Sequence, residues 1–233
     1  IKKFYVYLMK KKRLIPVVLL KDGWVVQSKN FSQYYNLGNP ITTVKRLSEW
    51  ASDELIYLDI SRDTKYDIKR DDQNYPNRKS FLEIIEDISK VAHMPLTIGG
   101  KIKTIDDIKV RLKLGADKVS INTYAFKNLD FLKSAISNFG SQCIVSSVDL
   151  KKIGNDYFVF INGGSDNTKT KAQVWLKKLN EIGVGEIFLN YIDRDGLGNG
   201  FEIEFTNEIM KLMNIPIILC GGAGNEDHFS DAV

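Results

Sequence analysis

Acidic residues and glycines cluster in the segment 190–200, which reads Asn-Tyr-Ile-Asp-Arg-Asp-Gly-Leu-Gly-Asn-Gly and follows the apolar run 186–189. Carboxylates placed there could donate or accept protons. Glycine turns can bring bare backbone N–H groups up to a phosphate. The segment therefore indicates a site for chemistry at a strand end, although its glycines by themselves are weak evidence for a phosphate.

Two further glycine turns also follow apolar runs, one at Gly99 and Gly100 and the other at Gly221 and Gly222. A single turn of this kind usually only redirects the chain from a strand into a helix. Three such turns at the ends of separate strands favour a phosphate-binding barrel, in which the chemistry lies at the C-terminal ends of the strands.

The elements that would position these turns alternate along the chain. Strands are predicted at 13–20, 54–60, 95–99, 117–122, 142–149, 185–190 and 215–220. Amphipathic helices are predicted near 41–51, 78–92, 104–114, 128–138, 169–183 and 204–213. This alternation predicts a parallel sheet with helical crossovers.

Three connections are longer than a barrel requires. The loops 22–40 and 61–77 are predicted to be lids or partner surfaces, although the charged second loop is also compatible with a merely solvated segment. The run 156–164 ends in Asn-Gly-Gly and predicts a small hairpin.

An internal repeat defines the fold class. Glu54 and Glu186 begin similar segments 132 positions apart, and the turn at Gly99 resembles the turn at Gly221 at an offset of 122. We therefore predict a (β/α)8 barrel of two related halves, forming a single domain over residues 1–233. The sequence stops at Val233 within the predicted seventh helix, so we expect the last strand and helix of a closed barrel to be absent from it.

Composition narrows the function classes. The net charge of +4 arises from 33 basic and 29 acidic residues that are dispersed, which argues against nucleic acid as a partner. Cys143 and Cys220 lie in separate apolar runs, and His93 and His228 have no second ligand at zinc-like spacing, so we expect no disulfide, metal or cofactor. A protein of the cytoplasm without a membrane segment is predicted.

Several segments together resemble the cyclase subunit of imidazole glycerol phosphate synthase, in family order from about Arg13 to the last residue. They are 13–16, 21–23, 115–123, 139–142, 192–196 and 221–224 followed by His228 and Phe229. The resemblance implies a (β/α)8 barrel that receives ammonia from a separate glutaminase subunit, with which it forms a heterodimer. It also implies that the barrel adds this ammonia to a two-phosphate ribonucleotide in histidine synthesis.

The resemblance implies paired aspartates, at the ends of the first and fifth strands, as the acid and the base. Asp149 matches the fifth-strand aspartate, but Leu19 stands where the first-strand aspartate is expected. A leucine cannot transfer a proton. Gln27 stands where the family has a lysine in the first loop. Both changes therefore affect positions that the resemblance assigns to the reaction.

The phosphate sites are matched in part. One phosphate would be held by Gly99, Gly100, Lys101, Asn122 and Thr123, and the other by Gly196, Gly221 and Gly222. Lys101 replaces a glycine of the family and could either add a cation or block the site. Asp195 is expected to face the ligand, whereas for Asp193 an ion pair with a neighbouring lysine or arginine is favoured over a catalytic role.

At the opposite ends of the strands, the resemblance implies a charged gate for ammonia. Its residues would be Arg13, Glu54, Lys118 and Glu186, while Asp117 and Gln142 match positions that meet the glutaminase. The alternative is a salt-bridge cluster that only closes the barrel, because the strand-start face of a barrel usually serves stability.

Three functions fit these residues. The first is an ammonia-relaying barrel subunit, of the kind that accompanies a glutaminase homologue in making amidino-modified sugars for surface polysaccharide. The second is a working cyclase of histidine synthesis with a relocated acid, Asp22 or Asp195. The third is a scaffold that docks and activates the glutaminase. The first is favoured, because it accounts for a retained gate beside a lost acid.

Overall fold

The computed structural model describes residues 12–62, 66, 71–72, 75–76 and 78–232. Its strands are β1 (Val17–Lys21), β2 (Trp24–Lys29), β3 (Gln33–Gly38), β4 (Leu55–Asp59), β5 (Asp71–Asp72), β6 (Tyr75–Pro76), β7 (Leu96–Gly99), β8 (Lys118–Ile121), β9 (Ile144–Ile153), β10 (Asp156–Ile161), β11 (Asp166–Lys171), β12 (Glu186–Tyr191) and β13 (Ile217–Cys220). Its helices are α1 (Pro40–Glu49), α2 (Phe81–Val91), α3 (Ile105–Lys113), α4 (Thr123–Lys127), α5 (Leu129–Phe139), α6 (Ala172–Ile182), α7 (Ile203–Met210) and α8 (Glu226–Asp231).

The parallel sheet forms the framework of the molecule. Its strands pair in the order β1, β4, β7, β8, β9, β12 and β13, each parallel to the next. Helices connect most of these strands in sequence, which confirms the predicted alternation. Each predicted strand overlaps one strand of this series.

The sheet is curled into a barrel wall. Ile56 of β4 packs in one cluster with Val145, Phe188 and Ile218, which come from strands on the far side of the pairing order, and Val17 of β1 packs against the same cluster. Side chains from both ends of a flat sheet could not meet in this way. The apolar interior and the surrounding helices are therefore those of a (β/α) barrel.

Two antiparallel hairpins extend the sheet at the C-terminal ends of the barrel strands. The segment 22–40, predicted as a long loop, forms the β2–β3 hairpin, in which Gln27 pairs with Tyr35. Its runs of valine and tyrosine favour extended structure, and β1 supplies the neighbouring strand. The hairpin predicted at 156–164 is confirmed as β10 and β11 with a turn after Ile161.

The boundaries of β9 and β11 show how tertiary pairing overrides the local pattern. β9 continues to Ile153, beyond the barrel rim, because β10 folds back and pairs with it. Residues 169–171 were predicted to begin a helix but belong to β11, since pairing with β10 outweighs their local helical pattern. The charged loop 61–77 falls largely outside the described residues.

The helices cover the outer face of the sheet. Ile84, Ile85 and Ile88 of α2 are fully buried against β4 and β7 residues in one outer cluster. Thr104 and Asp107 form a reciprocal capping box that begins α3. Within the described part of the chain, no helix has the length and apolar character needed to cross a membrane.

Candidate active site

Asp149 is a buried carboxylate inside the barrel, near the C-terminal end of the strands. It lies on β9 in register with Asn190 of β12, and only 4% of the residue is exposed. The side-chain amide of Asn122 donates to Oδ2 at 2.9 Å, and that of Asn190 lies 3.5 Å from Oδ1. Two amides from neighbouring strands thus orient the carboxyl group.

Burial controls the protonation of Asp149. Desolvation raises the pKa of this carboxyl group to about 7, although the hydrogen bonds from Asn122 and Asn190 act in the opposite direction. A group that titrates near neutral pH can both accept and donate a proton there. Asp149 is therefore suited to proton transfer near neutral pH, and its predicted catalytic role stays a prediction.

Leu19 lies on the barrel-facing side of β1. It pairs in register with Leu58 of β4 and is two residues from Val17, which packs into the barrel interior. Successive side chains of a strand alternate between its two faces, so Leu19 shares the inward face of Val17. Leu19, which stands in the place of the second aspartate of the predicted acid–base pair, thus presents an apolar side chain to the barrel interior.

Asp195 is turned towards the β2–β3 hairpin. Its Oδ2 accepts from the hydroxyl of Ser28 at 2.6 Å and from the backbone N–H of Phe31 at 3.2 Å. The predicted contact of Asp195 with a ligand stays a prediction. Asp22, the other candidate for a relocated acid, forms an ion pair with Lys21 at 3.1 Å.

Asp193 differs from its predicted ion pair. Its Oδ2 accepts from the backbone N–H of Lys152 at 2.8 Å, and among the described residues no ion pair of Asp193 with a lysine or arginine is seen. The extension of β9 beyond the rim brings this backbone donor to the carboxylate, which explains the difference.

The first glycine turn closely approaches β4. A Cβ atom on Gly100 would lie 2.4 Å from the backbone oxygen of Asp59, and the residue has a φ of +108°, so only glycine fits without strain. Lys101 adopts a left-handed φ of 55°, and its Nζ lies 3.2 Å from Oδ2 of Asp59. Asp59 also accepts from Tyr66 at 2.9 Å. The Lys101 cation is therefore drawn towards β4.

Thr123 and the second glycine turn lie at the same end of the barrel. The hydroxyl oxygen of Thr123 accepts from the backbone N–H of Asn162, at the tip of the β10–β11 hairpin, at 2.9 Å. Gly221 follows β13, and Gly222 accepts through its carbonyl from Gly200 at 2.8 Å. The turn after β13 and the loop after β12 thus form one packed unit.

Two cations and two carboxylates form a closed ring of ion pairs at the starts of the barrel strands. Arg13 donates to Glu54 at 2.6 Å and to Glu186 at 2.5 Å. Lys118 donates to Glu54 at 3.0 Å and to Glu186 at 2.9 Å. Each cation therefore bridges both carboxylates.

The two carboxylates of the ring are largely removed from water. The side chains of Glu54 and Glu186 are 2% and 12% exposed, and Thr97 makes a further hydrogen bond to Glu54 at 2.8 Å. Burial by itself raises the pKa of Glu186, but the hydrogen bonds from Lys118 and Arg13 outweigh it and leave the pKa lowered. Glu186 is accordingly ionised at neutral pH.

Comparison with known proteins places these features in a family. The model of the family described as "Histidine biosynthesis protein" matches residues 13–233. The chain is 42% identical to imidazole glycerol phosphate synthase subunit HisF of Sulfolobus acidocaldarius over 221 residues, which cover 95% of this chain and 84% of the relative. It is 41% identical to the same subunit of Campylobacter concisus over 221 residues, covering 95% and 83%. The chain belongs to the HisF-type family. This membership confirms the predicted resemblance and barrel class.

Within this HisF-type barrel, Asp117 and Gln142 lie at the same end as the charged ring. Both residues are exposed, and Asp117 accepts from the backbone N–H of Leu96 at 2.8 Å. Their predicted contact with a glutaminase stays a prediction. In the described part of the chain, no three side chains of His, Cys, Asp or Glu come together as a metal site.

Three polar residues of the site were not predicted from the sequence. Asn190 lies on the same face of β12 as Glu186 and Phe188, so the period of two along that strand could have identified it. Asp59 and Ser28 carried no comparable signal, because their partners Lys101 and Asp195 are distant in sequence.

Proposed function

We propose that the chain is the barrel subunit of a glutamine-dependent amidotransferase. It receives ammonia from a separate glutaminase subunit at the strand-start end and delivers it, at the other end, to a phosphate-bearing acceptor. The closed ring of Arg13, Glu54, Lys118 and Glu186, retained in a barrel whose first strand carries Leu19, is the observation that carries the proposal.

The physical cost of the ring supports a role beyond barrel closure. Burying opposite charges costs desolvation free energy, and apolar replacements of similar volume are often as stable or more so. If these side chains only had to close the end of the barrel, apolar residues could replace Glu54 and Lys118. Under the proposal, the ring serves as the ammonia gate, and Asp117 and Gln142 contribute to the glutaminase interface.

The chemistry at the other end supports a reaction different from cyclisation. Asp149 titrates near neutral pH, so it is suited to a single proton transfer. Leu19 supplies no second group. The glycine turns at Gly99–Lys101 and Gly221–Gly222, together with Asn122, Thr123, Asp195 and Gly196, would hold the acceptor and its phosphate. Amidino modification of a sugar destined for surface polysaccharide is the acceptor chemistry that we favour.

Cyclisation in histidine biosynthesis is the second candidate, and it is favoured by the printed names of the relatives. It requires a relocated acid. Both candidate acids already have partners, because Asp22 is paired with Lys21 and Asp195 accepts hydrogen bonds from the β2–β3 hairpin. We therefore place this function second.

The proposal is tested by co-purifying the chain with a glutaminase-type partner and measuring glutamine hydrolysis with and without the chain. We expect a stable complex and increased hydrolysis. Ammonium salts should replace glutamine as the nitrogen source for the acceptor, whereas a mere scaffold would increase hydrolysis without using ammonium. A chain that neither binds nor activates the glutaminase would contradict the proposal.

Substitution of Leu19 distinguishes relay from cyclisation. With ammonium and the two-phosphate ribonucleotide of the family, the unmodified chain should show no cyclisation, while Leu19→Asp should restore trace turnover. One acid or base typically contributes about 10²–10⁴-fold. Leu58→Asp, on the neighbouring strand in register with Leu19, is the matched control and should restore nothing. Robust cyclisation by the unmodified chain would establish the second candidate.

A further inference from the structure

Several contacts of Asp195 lie on one side of the barrel mouth, which is the open end of the barrel at the C-terminal ends of its parallel strands. Besides the two hydrogen bonds accepted by its Oδ2, its backbone oxygen accepts from the N–H of Asn30 at 3.0 Å. All three donors belong to the β2–β3 hairpin or its tip, in Ser28, Asn30 and Phe31. Asp195 therefore joins the loop after β12 to a hairpin about 165 residues away in sequence.

The fit of the surrounding backbone supports the same junction. A Cβ atom on Gly196 would lie 2.1 Å from the backbone oxygen of Ser28, so the loop and the hairpin are in direct backbone contact. Ser28 itself is only 5% exposed. The hydroxyl of Ser28 and the carboxylate of Asp195 thus meet at a part-buried junction in a charge-assisted hydrogen bond, which is stronger than one between neutral groups.

The hairpin tip has a conformation that requires support. Asn30 and Phe31 have φ values of 51° and 54°. The left-handed region is tolerated by asparagine but is strained for phenylalanine. The N–H groups of these two residues are the ones that donate to Asp195. Strained backbone persists where neighbouring contacts fix it, and Asp195 supplies those contacts.

The supported hairpin lies beside the candidate active site. Tyr34 of β3 donates to the backbone oxygen of Phe31 at 2.8 Å. β2 of the hairpin pairs with β1, where Val26 lies opposite Leu19. Displacement of the hairpin would therefore change the wall of the mouth next to Leu19.

We infer that Asp195 is a positioning residue that holds the β2–β3 hairpin over the barrel mouth and does not itself exchange a proton with the acceptor. The consequence for acceptor binding rests on the proposed function, because only an acceptor bound at this mouth would meet the hairpin. The hydrogen bonds that define the role are independent of any acceptor.

Amide hydrogen exchange of the hairpin tests this inference without an acceptor. Asp195→Ala should increase exchange of residues 24–38 by about tenfold, since hydrogen bonds to a charged acceptor are lost. Exchange in α5 should be unchanged, which reports that the barrel remains folded. Asp195→Asn keeps a side-chain oxygen that can accept both bonds, so it should restore most of the protection.

Two further variants make the result decisive. Asp193→Ala removes the neighbouring carboxylate of the same turn, which accepts from Lys152, and should leave residues 24–38 protected. Ser28→Ala should loosen the hairpin, and adding it to Asp195→Ala should have no further effect. Unchanged protection in Asp195→Ala, equal loss in Asp193→Ala, or additive effects of the Ser28 and Asp195 changes would overturn the inference. Failure to transfer ammonia to any acceptor would bear on the proposed function alone.

Discussion

At the scale of single residues, Asp149 shows how burial sets the chemistry of a carboxyl group. An aspartate in water has a pKa of about 3.9. Inside the barrel, desolvation raises the pKa of Asp149 to about 7, despite hydrogen bonds that favour the charged form. The same shift makes the group useful near neutral pH and makes its ionisation unfavourable for folding.

Replacing Asp149 should remove a pH dependence of stability. Because the folded pKa is raised, the favourable contribution of the protonated group is present below about pH 4 and is lost as the pH rises through about 7. Relative to Asp149→Asn, the unmodified chain should lose a few kcal/mol over this window, at about 1.4 kcal/mol for each unit of pKa. Urea unfolding at several pH values measures this difference.

The matched control is Asp193→Asn, because Asp193 is an exposed carboxylate at the same end of the barrel. Its stability should follow that of the unmodified chain across the pH range. Parallel pH profiles for Asp149→Asn and the unmodified chain would show that Asp149 is not perturbed by burial.

Lys101 has two effects of opposite sign on the stability of the fold, one from its backbone and one from its side chain. Its left-handed backbone costs about 1–2 kcal/mol, which glycine would relieve. Its ammonium, however, neutralises the buried carboxylate of Asp59, and an unpaired buried charge costs about 3–5 kcal/mol. The lysine side chain is 30% exposed, which weakens the pairing. Lys101→Gly should therefore lower the free energy of unfolding by about 1–2 kcal/mol.

The sign of this effect should reverse in the Asp59→Asn background. There the charge no longer needs a partner, while the backbone relief remains, so Lys101→Gly should stabilise the chain. Denaturant unfolding of the four members of this cycle separates the two contributions. Destabilisation of equal size in both backgrounds would contradict the ion-pair explanation.

At the scale of elements, the starts of four barrel segments act together. Glu54 and Glu186 share the ammonium of Lys118, which is 17% exposed. Lys118→Met should lower the free energy of unfolding by about 3–5 kcal/mol, since Arg13 would be the one remaining cation of the ring beside two largely buried carboxylates. Adding Glu186→Gln should recover part of this loss, because one of the two negative charges is removed.

Thermal or urea unfolding of these variants measures the contribution of the ring. Lys133→Met is the control, because Lys133 makes a single exposed ion pair with Asp130 and should contribute little. If Lys118→Met costs no more than Lys133→Met, the ring is not an interdependent unit.

At the scale of the whole molecule, the length of the barrel separates the charged ring from Asp149. Val119, which directly follows Lys118, pairs with Ile144, and Asp149 lies five residues further along β9. At about 3.3 Å for each residue of a strand, the two sites are roughly 20 Å apart. The apolar cluster around Ile56 and Phe188 fills the space between them.

This separation predicts additive effects. The stability changes of Lys118→Met and Asp149→Asn, measured at one pH, should sum in the double variant to within about 0.5 kcal/mol. A larger deviation would show that the barrel interior couples its two ends energetically. Urea unfolding of the two single variants and the double variant provides the measurement.

The sequence by itself determined the barrel strands and most helices. Hydrophobic periodicity is a local property, so it predicted the strand that begins near Glu54 and the one that begins near Glu186 without any knowledge of their contacts. The same periodicity placed their glutamates at the strand starts and Asp149 at the end of a predicted strand, although β9 continues to Ile153. The single-domain organisation and the roles of the site residues stay predictions.

Only the tertiary structure decided which polar groups meet. Arg13 and Glu186 are 173 residues apart, and Ser28 and Asp195 are 167 apart, yet each pair is joined by a short hydrogen bond. No local pattern encodes such a pairing, because it depends on how the sheet curls and where β2 and β3 fold over its rim. For the same reason, the sequence could not decide whether Lys101 adds a cation, while the fold directs its ammonium to Asp59.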